Sequence, residues 1–397
     1  MKVFMINSVC GIRSTGRICT DVAELLTAEG HDCRIGYGRE QAPEQYRRYA
    51  VRIGSELGVR LHGIQTRIFD TTGFGSKAAT RKLIQQIREY DPDLIHLHNI
   101  HGYYINIELL FDYLKEAKKP VVWTLHDCWT FTGHCAYFSA AGCDKWKTGC
   151  GGCIQKTRYP ASFFLDRSAG NFLRKKAAFT GVENLTLVTP SQWLTGLVKQ
   201  SYLKEYPVQV IYNGINRDVF KPTPGNFRQQ HGIEDKYLIM GAASTWDDRK
   251  GLEDFLALSE KLDDSYAIVL VGITPEQKKS LPDRIIGITR TENPVQLAQI
   301  YTAADVLVNP THEDNYPTVN LEAQACGTPV ITYRTGGSVE SVPESCVVEQ
   351  GDVDALAEKI RQKDAVCKPD LMLDRENMLR GYLTLYHRLL DQPAQKP

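Results

Sequence analysis

Short apolar runs of strand length recur along the chain. KVFMINSV opens it, followed by DLIHLH at 93–98, PVVWTLH at 120–126, LTLVTPS at 185–191 and VQVIYNG at 208–214. Amphipathic stretches with helical spacing, such as residues 18–29 and 80–90, lie between them. Near-continuous apolar strands alternating with helices predict a parallel, doubly wound α/β sheet, whose ligands bind beyond the carboxyl ends of the strands. Lys221-Pro-Thr-Pro-Gly225 interrupts any regular structure, and the pattern then restarts with LIMGAAS at 238–244, AIVLVGI at 267–273, DVLVNPT at 305–311 and PVITYR at 329–334. Helical segments are expected at 251–262, 294–303, 317–326 and 352–363. The expected architecture is therefore two doubly wound Rossmann-like domains facing across a cleft. The first spans 1–214 with a Cys-rich insertion at 128–160, and the second spans 215–370. A final segment, 371–397, holds a helix at 371–390 that crosses back to the first domain.

The length of 397 residues suits two such domains, and 42% hydrophobic with 24% charged residues is the composition of a globular protein. No run approaches the about 20 apolar residues that span a bilayer, and Met1-Lys-Val-Phe-Met-Ile enters a strand pattern without a signal-peptide layout, so a cytoplasmic location is expected. Net charge is zero but uneven. The first 212 residues carry 27 Lys and Arg against 19 Asp and Glu, and the remainder 20 against 28. The basic half can attract a diphosphate-bearing substrate or an anionic lipid surface, or simply be well solvated. No nucleic-acid partner is expected.

Chemistry concentrates in four places. Asp314 and Glu322 flank Asn315-Tyr-Pro-Thr-Val319 in the run from Thr311 to Val330, where two carboxylates beside a Pro-Thr helix start can hold sugar and ribose hydroxyls while backbone N–H groups face an anion. Arg249 and Lys250, in Trp246-Asp-Asp-Arg-Lys-Gly251, can neutralise a diphosphate leaving group as charge develops on it. Gly11-Ile-Arg-Ser-Thr-Gly-Arg17 joins the first strand to the first helix, so glycines and a helix start could admit a phosphate there; an ordinary βα turn reads the same way. His126 and Asp127 close an apolar strand, where a polar pair is better placed for ligands than for packing.

The run from Asp314 to Val330 resembles the signature of retaining, nucleotide-sugar-dependent glycosyltransferases of family 4, which have two Rossmann-like domains (GT-B). The family motif has two glutamates separated by seven residues; here Asp314 replaces the first, and Glu322-Ala-Gln-Ala-Cys-Gly-Thr-Pro-Val330 matches closely. The resemblance implies that Glu322 binds the donor ribose and that Asp314, or neighbouring Glu313, contacts the donor sugar. It further implies that Thr15, Gly16 and Arg17 face the donor diphosphate and that His126 contacts a sugar hydroxyl. Many members carry an Arg six positions before the Lys, where this chain has Ser244. The base pocket is mostly backbone in this family, with Arg290 and Thr291 at its rim, so the donor can be UDP- or GDP-linked. The implied reaction is a same-face displacement in which the leaving phosphate oxygen takes the acceptor proton, with no enzymic nucleophile or general base. No Asp-x-Asp element stands out at a strand end, and no catalytic metal is expected.

Eleven cysteines are many for a reduced compartment, and Cys135, Cys143, Cys150 and Cys153 cluster in the insertion. Cys150-Gly-Gly-Cys153 is a tight knuckle that could share a structural zinc with the other two thiolates, folding a loop of little apolar content. Free thiols and a redox-labile Cys150–Cys153 pair are the alternatives. The stretch HDCWTFTGHCAYF with CDKWKTGCGGC resembles a capsule- and colanic-acid-type branch of the glycosyltransferases, which implies addition of a sugar to a saccharide or polyprenyl-diphosphate-linked acceptor in capsule, exopolysaccharide or O-antigen biosynthesis.

Two basic, aromatic segments could touch the inner face of the plasma membrane: Tyr46-Arg-Arg-Tyr49 with Arg52, Arg60 and Arg67, and Phe163-Phe164 with Asn171-Phe-Leu-Arg-Lys-Lys176. Inward packing of the aromatics is the alternative. Two other functions compete with glycosyl transfer. A nucleotide-sugar epimerase or a phosphorylase shares the fold, but no Lys in a pyridoxal-type setting and no epimerase carboxylate pair is present. A non-enzymatic nucleotide-sugar-binding assembly subunit is suggested by the Asp314 and Ser244 departures.

Overall fold

A computed structural model describes residues 1–368 and 374–391. It divides into two compact units, one of Met1–Ile211 with Leu379–Asp391, the other of the described residues of Tyr212–Met378. The first unit therefore ends at Ile211 rather than at residue 214.

The first unit is built on β1 (Lys2–Asn7), β2 (Asp32–Tyr37), β3 (Ala50–Arg52), β4 (Leu94–Leu97), β5 (Val121–Thr124), β6 (Leu185–Thr189) and β7 (Val208–Val210). They form one parallel sheet in the order β3-β2-β1-β4-β5-β6-β7. β4, β5 and β6 are buried at every position, as both faces of a helix-covered sheet require. The strands β2 and β3 carry no continuous apolar run. Asp32 and Arg34 are exposed in β2, and β3 is a three-residue edge, so the sequence pattern does not mark them.

The second unit holds β8 (Tyr237–Ala242), β9 (Tyr266–Val271), β10 (Ile285–Ile288), β11 (Val306–Asn309), β12 (Val330–Tyr333) and β13 (Val347–Val348). Their order, β10-β9-β8-β11-β12-β13, is again parallel throughout. The helices Leu252–Lys261, Pro294–Ala303, Thr318–Ala325 and Val353–Gln362 fall where expected. Asn293 caps the second of these through its side chain and Pro294 pre-sets the first turn, an arrangement that stabilises a helix start by about 1 kcal/mol.

The expected last helix runs Arg375–Asp391; its predicted start at residues 371–373 lies outside the described residues. From Leu379 on, this helix belongs to the first unit. The Tyr386 hydroxyl meets His96 Nδ1 at 2.5 Å, and the Tyr382 hydroxyl meets Thr124 Oγ1 at 3.1 Å. Polar side chains of β4 and β5 thus find their partners on a helix far along the chain, which satisfies groups that would otherwise be buried without a hydrogen bond.

Candidate active site

In a doubly wound sheet, loops diverge where the strand order reverses, and a crevice opens there. In the second sheet the reversal falls between β8 and β11. The loop after β8 carries Arg249 and Lys250, and the loop after β11 carries Asp314 through Pro317, with Thr318 opening the next helix. Lys250 Nζ donates to the Asp314 carboxylate, and both side chains are mostly buried, at 17% and 16% exposure. Arg249 donates through Nη1 to the Glu313 carbonyl at 2.9 Å, and its own carbonyl accepts from the His312 amide at 2.8 Å. Gly251 makes this approach possible. It sits at φ +74°, and a Cβ there would fall 2.2 Å from the Pro310 carbonyl oxygen.

Glu322 lies within the helix Thr318–Ala325 and accepts from the buried Tyr301 hydroxyl at 3.0 Å. No side chain caps that helix start at Pro317. Beneath it Asn320 is locked on all sides: it accepts from Asn309 at 2.8 Å and donates to Ser341 at 2.9 Å and Ser338 at 3.2 Å. His312 Nε2 meets Asp254 at 2.7 Å, and this hydrogen bond raises the imidazole above its usual range. Tyr333 donates to the other Asp254 oxygen at 2.8 Å.

The remaining residues of the second unit lie as follows. Tyr316 is a core residue, packed with Ile215, Leu321 and Ala325, with its ring 5.2 Å from that of Tyr212. Glu313 is buried, whereas Asp314 is the acid that reaches Lys250. Ser244 and Arg290 are exposed on loops after β8 and β10.

In the first sheet the reversal falls between β1 and β4. Thr15, Gly16 and Arg17 are not in the β1 loop but in the opening turns of the helix Arg13–Ala28, whose start at Ile12 has no side-chain cap. Gly16 is buried, with its carbonyl accepting from the Gly11 amide at 3.0 Å, and Arg17 is exposed. A Cβ at Gly16 would fall 3.0 Å from Val9 Cγ2, so the glycine lets the helix start pack closely; the groups there that could meet an anion are the helix-start amides and Arg17.

His126 and Asp127 follow β5, as expected, and each has a histidine partner that the sequence did not reveal. His126 Nε2 meets His98 Nδ1 at 3.0 Å, and burial pulls His126 down to about 4. The pair is neutral near pH 7, with one ring donating to the other. His101 Nε2 meets Asp127 Oδ2 at 2.8 Å, and the Trp129 amide donates to Asp127 Oδ1 at 2.9 Å. Burial opposes ionisation of Asp127, but His101 and the Trp129 amide together hold its carboxyl below the usual range.

The insertion is less polar than expected. Phe131, Phe138 and Trp146 pack on one another with ring centroids 4.9–6.3 Å apart and join the main core. Cys135 and Cys153 hydrogen-bond to each other, which with burial drives Cys135 up and, as the leading cause, holds Cys153 down. Cys150 Sγ accepts from the Gly133 amide at 3.1 Å. Fully buried Lys175 lies 3.6 Å from the Trp129 ring centroid, and burial pulls it down to about 7 against the attraction of Cys150 and Cys135. Among the described residues, no three His, Cys, Asp or Glu side chains are arranged to hold a metal ion.

Two Rossmann-like parallel sheets, with basic and acidic loops gathered where the strand order of the second reverses, are the fold of GT-B glycosyltransferases. Residues 15–219 match the family model for Glycosyltransferase Family 4, and residues 235–363 match that for Glycosyl transferases group 1. The chain belongs to glycosyltransferase family 4 and is a hexosyltransferase-type enzyme.

It is 25% identical over 328 residues to Escherichia coli (strain K12) WcaC, whose name assigns it to colanic acid biosynthesis; the match covers 77% of this chain and 74% of that protein. It is 30% identical over 182 residues to the 2-deoxystreptamine N-acetyl-D-glucosaminyltransferase of Streptomyces fradiae, covering 39% of this chain and 43% of that protein. Among solved structures, sucrose-phosphate synthase from Thermosynechococcus elongatus superimposes with a TM-score of 0.69 at 18% identity, over 99% of this chain and 100% of that one. Anabaena HepE in complex with UDP-glucose does so with a TM-score of 0.66 at 16% identity, over 98% and 100%.

Proposed function

We propose that this enzyme retains anomeric configuration as it transfers a sugar from a nucleotide-sugar donor to a saccharide or polyprenyl-diphosphate-linked acceptor in surface polysaccharide biosynthesis. The observation that carries the donor half is the meeting of Lys250, Asp314 and the Glu322-bearing helix at the order reversal of the second sheet. There Glu322 would take the ribose hydroxyls, and Lys250 with Arg249 the diphosphate. Asp314, shorter than the usual glutamate, would orient Lys250 and meet the sugar. The HepE complexes with UDP and UDP-glucose favour a UDP-linked donor. The likeness to WcaC favours a colanic-acid-like acceptor. A panel of UDP- and GDP-sugars with a lipid-linked saccharide tests the reading: transfer is expected, whereas acceptor-free isomerisation, or binding without turnover, would contradict it.

A peripheral membrane contact is part of the proposal. The helix Glu56–Phe69 exposes Leu57, Leu61 and Ile64 on one face, beside exposed Phe163, Phe164 and Leu165. The Phe163 amide donates to the Arg67 carbonyl at 2.8 Å, so the two apolar segments are contiguous, with Arg60 and Arg67 exposed beside them. Apolar wedge and basic rim together suit an anionic bilayer surface. Among the described residues no helix is long and apolar enough to cross a membrane. A structural zinc on Cys135, Cys143, Cys150 and Cys153 is proposed from their spacing in the sequence; among the described residues no three such side chains stand in metal-holding geometry, so binding would require the thiols to close around the ion.

A further inference from the structure

The order reversal of the first sheet holds a second constellation. His101, after β4, is only 7% exposed and bridges two groups: Nε2 to Asp127 Oδ2 at 2.8 Å, and Nδ1 to the Tyr159 hydroxyl at 3.0 Å. An ionised carboxylate can only accept, so Nε2 carries the proton, while Nδ1 and the phenol share the second hydrogen bond. One hydrogen bond to His101 leaves the phenol with further hydrogen-bonding capacity. Tyr159 as a whole is 42% exposed, with its hydroxyl on the buried histidine, so the residue links this pair to the protein surface.

A cation stands beside it. Arg39 follows β2, its amide donating to the Ser8 carbonyl of the β1 loop at 2.8 Å, and its side chain is half-buried. Gly102, next to His101, has φ +112°, and a Cβ there would lie 3.4 Å from Arg39 Cδ, so Arg39 lies along the His101 turn. Arg39 and Arg13 both act electrostatically on Tyr159. Arg13 is paired with Glu40 at 2.7 Å, whereas Arg39 has no ion-pair partner among the described residues. A half-buried guanidinium without a carboxylate, beside a polarised phenol, matches a ligand with a hydroxyl next to an anionic group.

Tyr159 reaches this place as the end of the Cys-rich insertion. Its carbonyl accepts from the Ala136 amide at 3.4 Å, beside Cys135, and the Ala136 carbonyl accepts from the Cys128 amide at 3.0 Å. We infer that the insertion serves to carry Tyr159 onto His101, and that Tyr159, His101 and Arg39 form a recognition site for a saccharide bearing a phosphate or diphosphate. The inference rests on reading the first unit as the acceptor side.

Calorimetric titration of the full chain, with UDP present to occupy the donor site, tests it with three probes: glucose 1-phosphate, farnesyl diphosphate and methyl glucoside. At least one anionic probe should bind tenfold or more tightly than methyl glucoside. Arg39→Gln should erase that margin and Tyr159→Phe should weaken glucose 1-phosphate about fivefold, while UDP affinity in both variants stays within twofold of wild type as the check on folding. Preference for farnesyl diphosphate over glucose 1-phosphate assigns the anion to a lipid-linked acceptor, and the reverse to a soluble one. No margin in the wild type, or a margin that survives Arg39→Gln, overturns the site. Because the readout is binding, a chain that shows the margin yet transfers no sugar refutes only the acceptor-side reading, and transfer without the margin refutes only this site.

Discussion

Glu322 holds the Tyr301 hydroxyl and is proposed to bind the donor ribose, and different substitutions should separate the two. Its Oε2 accepts from Tyr301, whose hydroxyl is buried and whose ionisation is pushed well up by that burial and by Glu322 itself. Glu322→Ala removes the acceptor and leaves a buried donor unsatisfied, which costs about 1–3 kcal/mol. For a unit the size of Tyr212–Met378, each kcal/mol is worth roughly 2–4 °C in Tm, so the Ala variant should melt several degrees lower. Glu322→Gln keeps an acceptor oxygen for Tyr301, and its Tm should stay close to wild type. The amide lacks the charge that strengthens hydrogen bonds to two ribose hydroxyls, and losing that assistance costs about 1.5–3 kcal/mol, or roughly 10–100-fold in affinity. Differential scanning calorimetry and UDP titration of the three proteins decide the matter. A Gln variant with unchanged Tm and UDP affinity within twofold of wild type would refute the ribose role, and an Ala variant with unchanged Tm would refute the structural one.

Lys250→Ala should lower kcat/KM for the donor by roughly 10–100-fold, the loss expected for one charge-assisted phosphate contact, with acceptor KM little changed; donor-dilution kinetics check this. The His312–Asp254 hydrogen bond raises the histidine in the folded state, so its stabilisation is complete below the unfolded histidine value of about 6.5 and fades as pH rises through the higher folded value. Urea unfolding should therefore show a fall in stability from pH 6 to pH 8 that is smaller in Asp254→Asn. Purified protein should carry close to one zinc per chain by elemental analysis, and a metal-free, fully active preparation would remove that proposal. Sedimentation with anionic liposomes should weaken as salt rises and drop further in Phe163→Ser/Phe164→Ser, since both the basic rim and the apolar wedge contribute.

The sequence disclosed what depends on neighbours along the chain. The strands β4, β5, β8, β9 and β11 are apolar runs that could be read directly, and Arg249, Lys250, Asp314 and Glu322 sit in two short motifs. It hid what depends on surroundings. The strands β2, β3, β10 and β13 are short or mix exposed with buried positions. The helix Glu56–Phe69 turns leucines outward, so its pattern does not point to a core. His101 lies 26 residues from Asp127 and 58 from Tyr159, and no local spacing joins the three. The one available signal was a His-rich strand end, His96 to His101, directly before a glycine. Gly16 looked like a phosphate-loop glycine because helix starts and loops share composition; only the geometry places it inside the helix.

The donor nucleotide is proposed to bind where strand order reverses in the second sheet. Hydrogen–deuterium exchange of the full chain, with and without saturating UDP, tests it most directly. The strongest protection is predicted in peptides covering residues 246–251 and 312–322, where Lys250, Asp314 and Glu322 lie. Protection confined to residues 1–211, or none with either UDP or GDP, would contradict it.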